Sequence, residues 1–174
     1  MGKVKFNGFT VIFKFKNSNI ELGKNITINS SFVSNLVGLT QRSVIVARDG
    51  GKIVIKDNVG ISGATIYSLD SIEIGENTMI GGGCKIIDHD FHPLDLEARI
   101  RDDRSKIKRR KIEIGSGCFI GTNSLILKGT KLGKNVIVGA GSVVSGSFPD
   151  DVIIAGNPAR VVRTTKSKKT DIRV

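Results

Sequence analysis

The sequence has no Trp, a single Tyr, three Pro, two Cys and two His among 174 residues, and its 16 Asp and Glu are outnumbered by 27 Lys and Arg. Each scarcity excludes something. Two cysteines, Cys84 and Cys118, do not make the disulfide framework of a small secreted scaffold, and they read as two small buried residues. No apolar run approaches the ~20 residues of a membrane-spanning helix, so integral membrane association is not expected. Phe9 to Phe15 is apolar but is broken by Lys14 and Lys16, with no small-residue cleavage site after it, so a cytoplasmic location is expected. The charge of +11 calls for an anionic partner without choosing among nucleic acid, phosphorylated cofactor, membrane surface and acidic glycan. The basic residues gather in Lys3 to Lys16, Arg99 to Lys111 and Arg160 to Arg173. After residue 16 they are not interleaved with aromatics, which argues against a nucleic-acid partner.

What is abundant is glycine, 21 residues, and a period of six. Aliphatic side chains recur at Ile55, Ile61 and Tyr67, then at Ile74, Ile80 and Ile86 after a slip of one, then at Ile114, Ile120, Ile126, Leu132, Val138 and Val144. Eleven of these twelve sites are Ile, Leu or Val. Gly often follows the aliphatic residue, and a small or β-branched residue such as Thr78, Cys84, Cys118 or Ser124 stands four places after it. Asn precedes that small residue at Asn58, Asn77, Asn123 and Asn135, and Asn tolerates the left-handed backbone of a tight corner. Six fits neither a 3.6-residue helix nor a two-residue alternation. It fits a short strand and a corner, three of which close one coil of a parallel stack. The spacing therefore predicts an all-β parallel helix over 52–158, preceded by a strand and irregular early coils over 1–51. A basic tail is expected over 159–174. In 1–51, Phe9, Val11, Phe13 and Phe15 alternate with other residues and predict a strand with one buried Phe face. Leu22 to Thr27 and Ile28 to Val33 read as two further hexads, and 34–51 breaks phase.

Between Ile86 and Ile114 the phase is lost, and residues 88–111 form a long insertion. The two histidines, His89 and His92, lie at its root with Asp88, Asp90 and Asp95. Two His in a polar loop are ordinarily solvated. A zinc site of the three-His kind is not available to a chain with two; a His, Asp and Asp set is conceivable but has no strong spacing signal, and no metal is expected.

At these residues the sequence resembles a known family. Ile74-Gly-Glu-Asn-Thr-Met, Ile80-Gly-Gly-Gly-Cys-Lys and Val138-Gly-Ala-Gly-Ser-Val look like the repeats of hexapeptide left-handed β-helix acyltransferases. The ending Ala155-Gly-Asn-Pro-Ala-Arg-Val-Val-Arg163 resembles the closing segment of acetyl-CoA-dependent sugar O-acetyltransferases. The resemblance covers roughly 50–163 and implies the left hand, a homotrimer and transfer of acetyl from acetyl-CoA to a saccharide or glycan hydroxyl. It puts the general base at His89, with His92, Asp88 and Asp90 toward the acceptor. Asp88 or Asp90 would orient the imidazole or cap the turn. An oxyanion-binding N–H would lie near Gly121 and Thr122. Coenzyme A would meet Thr122, Ala140, Ser145, Arg160 and Arg163, the two arginines taking its phosphates. Two departures stand out. Gly146 replaces a Lys of the related galactoside enzymes, leaving CoA to other bases such as Lys166 or Lys168. Ser62-Gly63 stands where those enzymes carry an acceptor-binding Asn. N-acetylation of an amino sugar nucleotide and a non-catalytic binding helix are the rival readings. The eight Lys and Arg among residues 99–111 point to an anionic acceptor.

Overall fold

A computed structural model describes residues 3–165. The chain winds as a three-sided parallel β-helix, one short strand per side. The first coil holds β1 (Lys5–Asn7), β2 (Val11–Lys14) and β3 (Asn19–Leu22). The second holds β4 (Thr27–Asn29), β5 (Val44–Ala47) and β6 (Lys52–Ile55), and the third β7 (Gly60–Ser62), β8 (Thr65–Ser68) and β9 (Ser71–Ile74). The fourth has β10 (Met79–Ile80), β11 (Lys85–Ile87), the short helix α1 (Leu96–Ile100) and β12 (Ile112–Ile114). The fifth has β13 (Phe119–Ile120), β14 (Leu125–Leu127) and β15 (Lys131–Leu132), and the sixth β16 (Ile137–Val138), β17 (Val143–Val144) and β18 (Ser147–Phe148). The helix closes on a hairpin of β19 (Val152–Gly156) and β20 (Ala159–Thr164). We name the three sheets A (β1-β4-β7-β10-β13-β16-β19-β20), B (β2-β5-β8-β11-β14-β17) and C (β3-β6-β9-β12-β15-β18). Every pairing is parallel except β19 with β20, so residues 159–164, expected as a tail, end the sheet as an antiparallel strand.

One side chain per strand points inward and stacks on its equivalent one coil away. Ile61, Ile80, Ile120 and Val138 form such a column in sheet A, and Ile45, Ile66, Ile86, Ile126 and Val144 in sheet B, all but fully buried. Burial of one Ile is worth about 1.5–3 kcal/mol, and the columns make one continuous core. The small residues at the corners also face inward. Their hydroxyls and thiols donate to backbone carbonyls of the next coil, as from Thr78 to Gly115 O (3.1 Å), Cys84 to Gly121 O (3.1 Å) and Cys118 to Gly133 O (3.2 Å). Polar corner residues are therefore satisfied inside the core.

The repeat phase departs from expectation at Tyr67. Ile66, not Tyr67, pairs with Ile86 and is buried, and Ala64 fills the corner. The corner after Ile61 is one residue shorter than those after Ile80, Ile120 and Val138 because Gly63 takes the left-handed turn (φ +50°) one place early. The N-terminal strip departs as well. Ile12 carries the inward register opposite Ile45, while Phe13 aligns with Val46 and Tyr67 on the outer surface. Phe9, Phe13 and Phe15 are exposed rather than buried. Leu22 and Ile28 do align with Ile55 and Ile61, as the two early hexads require. The phase break at 34–51 contains a real loop, but β5 and its inward Ile45 resume within it.

Candidate active site

The insertion leaves the corner between sheets B and C in the fourth coil. Its root is held to the coils above by buried polar contacts. Asp88 is fully buried and its carboxylate takes four donors: Ser68 Oγ (2.6 Å), Leu69 N (2.8 Å), Asp70 N (2.9 Å) and His89 Nδ1 (2.9 Å). A carboxylate accepts only, so the Nδ1 N–H donates to Asp88 and Nε2 is the ring nitrogen turned away from it. The ring is packed edge-on between Tyr67 and Phe91, each centroid 4.8 Å away. Asp88 thus has no oxygen to offer an acceptor; it fixes the tautomer and plane of His89. The arrangement presents one oriented imidazole.

The return strand of the insertion closes over this pair. His89 bridges antiparallel to Arg109; Asp90 N donates to Lys108 O (2.9 Å) and Arg110 N to Asp88 O (2.8 Å). The Arg109 guanidinium reaches back to Leu69 O (2.8 Å) and Asp49 O (3.2 Å), clipping the loop to two higher coils. It is a structural clamp, not a free cation. Asp90 pairs through Oδ1 with Lys128, while its Oδ2 is buried without a partner. Lys108, Arg110, Lys128 and Ser145 line a cleft of about 380 Å³ beside them. Further out, Asp95 caps α1 by accepting from Ala98 N (2.8 Å), and His92 is exposed.

The other expected residues are elsewhere. Gly121, Thr122 and Ala140 lie at the corner between sheets A and B. Gly121 is buried, Thr122 donates to Gly82 O, and Ala140 is exposed. Arg160 pairs with Ala155 at the same end of the last hairpin, and Arg163 with Ile153; both are exposed. Lys166 and Lys168 lie outside the described residues. Face B therefore separates His89, Asp90 and Ser145 on one edge from Gly121, Thr122 and Ala140 on the other. Arg109, read within the basic run as facing an anionic acceptor, is instead held by Leu69 O and Asp49 O. Tyr67 and Lys128 escaped the reading of the sequence; a lone Tyr at a site reserved for aliphatic residues was the signal for the first, and Lys128 has no local signature. Burial pushes the thiols of Cys84 and Cys118 above their ordinary value. Among the described residues no three His, Cys, Asp or Glu side chains gather as a metal site, and no helix is long and apolar enough to cross a membrane.

With its three-sided coil of hexads and an imidazole at the root of a long insertion, the chain is similar to hexapeptide-repeat acetyltransferases in sequence and fold. Residues 111–146 match the family model of the bacterial transferase hexapeptide (six repeats). The chain is 34% identical over 119 residues to WbbJ of Escherichia coli (strain K12), provisionally named a lipopolysaccharide biosynthesis O-acetyl transferase; the match covers 65% of this chain and 61% of that protein. It is 29% identical over 143 residues to a galactoside O-acetyltransferase of Lactococcus lactis, covering 82% of this chain and 62% of that one. The crystal structure of the polySia specific acetyltransferase NeuO superposes with a TM-score of 0.73 at 26% identity, over 97% of this chain and 74% of that chain. The chain spans about three fifths of the length of the two curated relatives.

Proposed function

We propose that the chain transfers an acetyl group from acetyl-CoA to a hydroxyl of a saccharide or glycan precursor in the cytoplasm, with His89 as general base. The observation that carries the proposal is the Asp88–His89 pair, buried and oriented where the repeat is interrupted. Nε2 takes the hydroxyl proton as the oxygen attacks the thioester carbonyl, a role usually worth ~10²–10⁴-fold. A backbone N–H near Gly121 and Thr122 holds the oxyanion. Collapse expels the CoA thiolate, which recovers the proton from the imidazolium. Asp90, with an unpartnered Oδ2, accepts from an acceptor hydroxyl, and His92 lies on the acceptor side.

The two halves of this site sit on opposite edges of face B, so one copy does not complete it. An edge-to-edge contact repeated around an axis closes a ring, which supports the homotrimer. Coenzyme A then lies in the cleft between copies against Thr122, Ala140 and Ser145, with Arg160 and Arg163 on its phosphates. Lys108, Arg110 and Lys128 favour an anionic acceptor.

The test is thiol release from acetyl-CoA against neutral, acidic and amino saccharides. Turnover with a hydroxyl acceptor, fastest with an acidic one at low salt, is expected. Turnover with amino sugars alone would replace the proposal with N-acetylation, and no thiol release with any acceptor would remove it.

A further inference from the structure

The strip expected to be buried leaves the first two coils with an unusual surface. Among the described residues, nine of the seventeen exposed large apolar side chains precede residue 38: Phe6, Phe9, Ile12, Phe13, Phe15, Phe32, Val33, Leu36 and Val37. The phenylalanines of the first coil adjoin one another, and the loop that carries Phe32 to Val37 runs down the corner until Val37 meets Gly82. Phe6, Phe9, Ile12 and Phe13 line one shallow groove, and Phe9 and Phe32 line the next with Arg42. Leu36, at the tip of the loop between β4 and β5, is 96% exposed. Residues 31–40 of that loop carry no charge. Around the patch positive charge prevails: residues 1–49 hold seven Lys and Arg against Glu21 and Asp49, the latter paired with Arg48.

We infer that this end of the β-helix docks on an anionic lipid surface, the loop tip and phenylalanines entering the headgroup region and the lysines meeting lipid phosphates. Apolar side chains set among basic ones are the mark of an interfacial anchor, and an anionic bilayer supplies both complements at once. The detail of the patch discriminates against other partners. Phe13-Lys14-Phe15-Lys16 interleaves lysine with phenylalanine, whereas the buried centre of a protein interface is depleted of lysine. Single-stranded nucleic acid would stack bases on open rings. Here Arg42 lies over Phe9 at 5.3 Å and Arg48 over Phe15 at 5.2 Å, and Val33, Leu36 and Val37 have no ring to offer. Such docking would hold the enzyme at a membrane independently of the reaction it runs.

Sedimentation of the full 174-residue chain with phosphatidylcholine vesicles, with and without phosphatidylglycerol, tests this. Binding is expected only with phosphatidylglycerol and should fall with salt. Lys14→Gln with Lys16→Gln should lower the partition coefficient about 25-fold, roughly fivefold per lysine. Leu36→Ser should lower it about tenfold or more, from the lost burial of one leucine. Because the chain has no Trp, Leu36→Trp supplies a single reporter whose emission should shift to the blue on these vesicles. Absence of binding at low salt, or binding indifferent to the lysine substitutions, would overturn the inference. So would a change of oligomeric mass on Leu36→Ser, which would assign the patch to a second copy. Thermal melting of each variant controls for folding.

Discussion

Two corners of the same prism behave in opposite ways. Where sheet C passes to sheet A, all six turns have the same length. The same place in each turn is left-handed: Asn25, Asn58, Asn77, Gly117, Asn135 and Asp151, with φ between +54° and +69°. The backbone N–H of each from Asn58 onward donates to a carbonyl one coil away, and Asn25, Asn58 and Asn77 are linked side chain to side chain. Where sheet B passes to sheet C, the turns differ in length, and one of them carries residues 88–111. The first corner repeats because each turn is templated by its neighbour. The second is free to vary because the strands on either side already hold their register.

The largest expected effect breaks the comparison at the variable corner. His89→Ala should lower kcat/KM for acetyl transfer by ~10²–10⁴ while leaving CoA affinity of the folded protein nearly unchanged. More than about a tenth of wild-type activity would show that the imidazole is not the base.

The reverse should hold at the regular corner. A Cβ on Gly115 would lie 2.4 Å from Gly133 O and 2.5 Å from Gly133 C, both backbone atoms. Gly115→Ala should therefore cost about 2–3 kcal/mol in denaturant unfolding, with kcat of the folded fraction preserved. A melt equal to wild type would mean the coils separate more easily than their hydrogen bonds suggest.

A finer test uses Asn77, at φ +58°. Asn77→Ala should destabilise by about 1–2 kcal/mol, since alanine has no side chain to offset the left-handed backbone. Asn77→Gly should cost less, because Gly117 occupies the equivalent place one coil on. Equal losses for the two would assign the role of Asn77 to its side-chain ladder instead.

The smallest effect concerns the thiols. Burial raises Cys84 and Cys118 above the ordinary thiol value, so the reactive thiolate is disfavoured until pH rises further than usual. Native protein at about pH 8 should resist alkylation, and both thiols should react on unfolding. Rapid native modification with loss of activity would mean a cysteine is reached by solvent at the site.

Much of this fold was legible because hexads are a local code. An aliphatic residue, a glycine and an Asn before a small residue state inward strand, close approach and corner without reference to the rest of the chain. The insertion and its histidines were legible for the same reason, as a loss of phase between Ile86 and Ile114. Stacking decided what local code could not. Ile66 rather than Tyr67 turns inward because parallel register with Ile45 and Ile86 selects it, and Gly63 shortens the corner to allow it. Phe13 lies outside because its strand is aligned by Ile12 opposite Ile45. Asp88 became the anchor of His89 only when Ser68, Leu69 and Asp70, some twenty residues earlier, were brought one coil above it. By itself, then, the sequence determined the period, the corners and the place of the interruption, which are properties of six neighbouring residues. Tertiary structure alone decided which side chains meet across coils and which edge of the prism each site residue occupies. Those contacts join residues a full coil or more apart, and parallel stacking sets them only after the coil has closed.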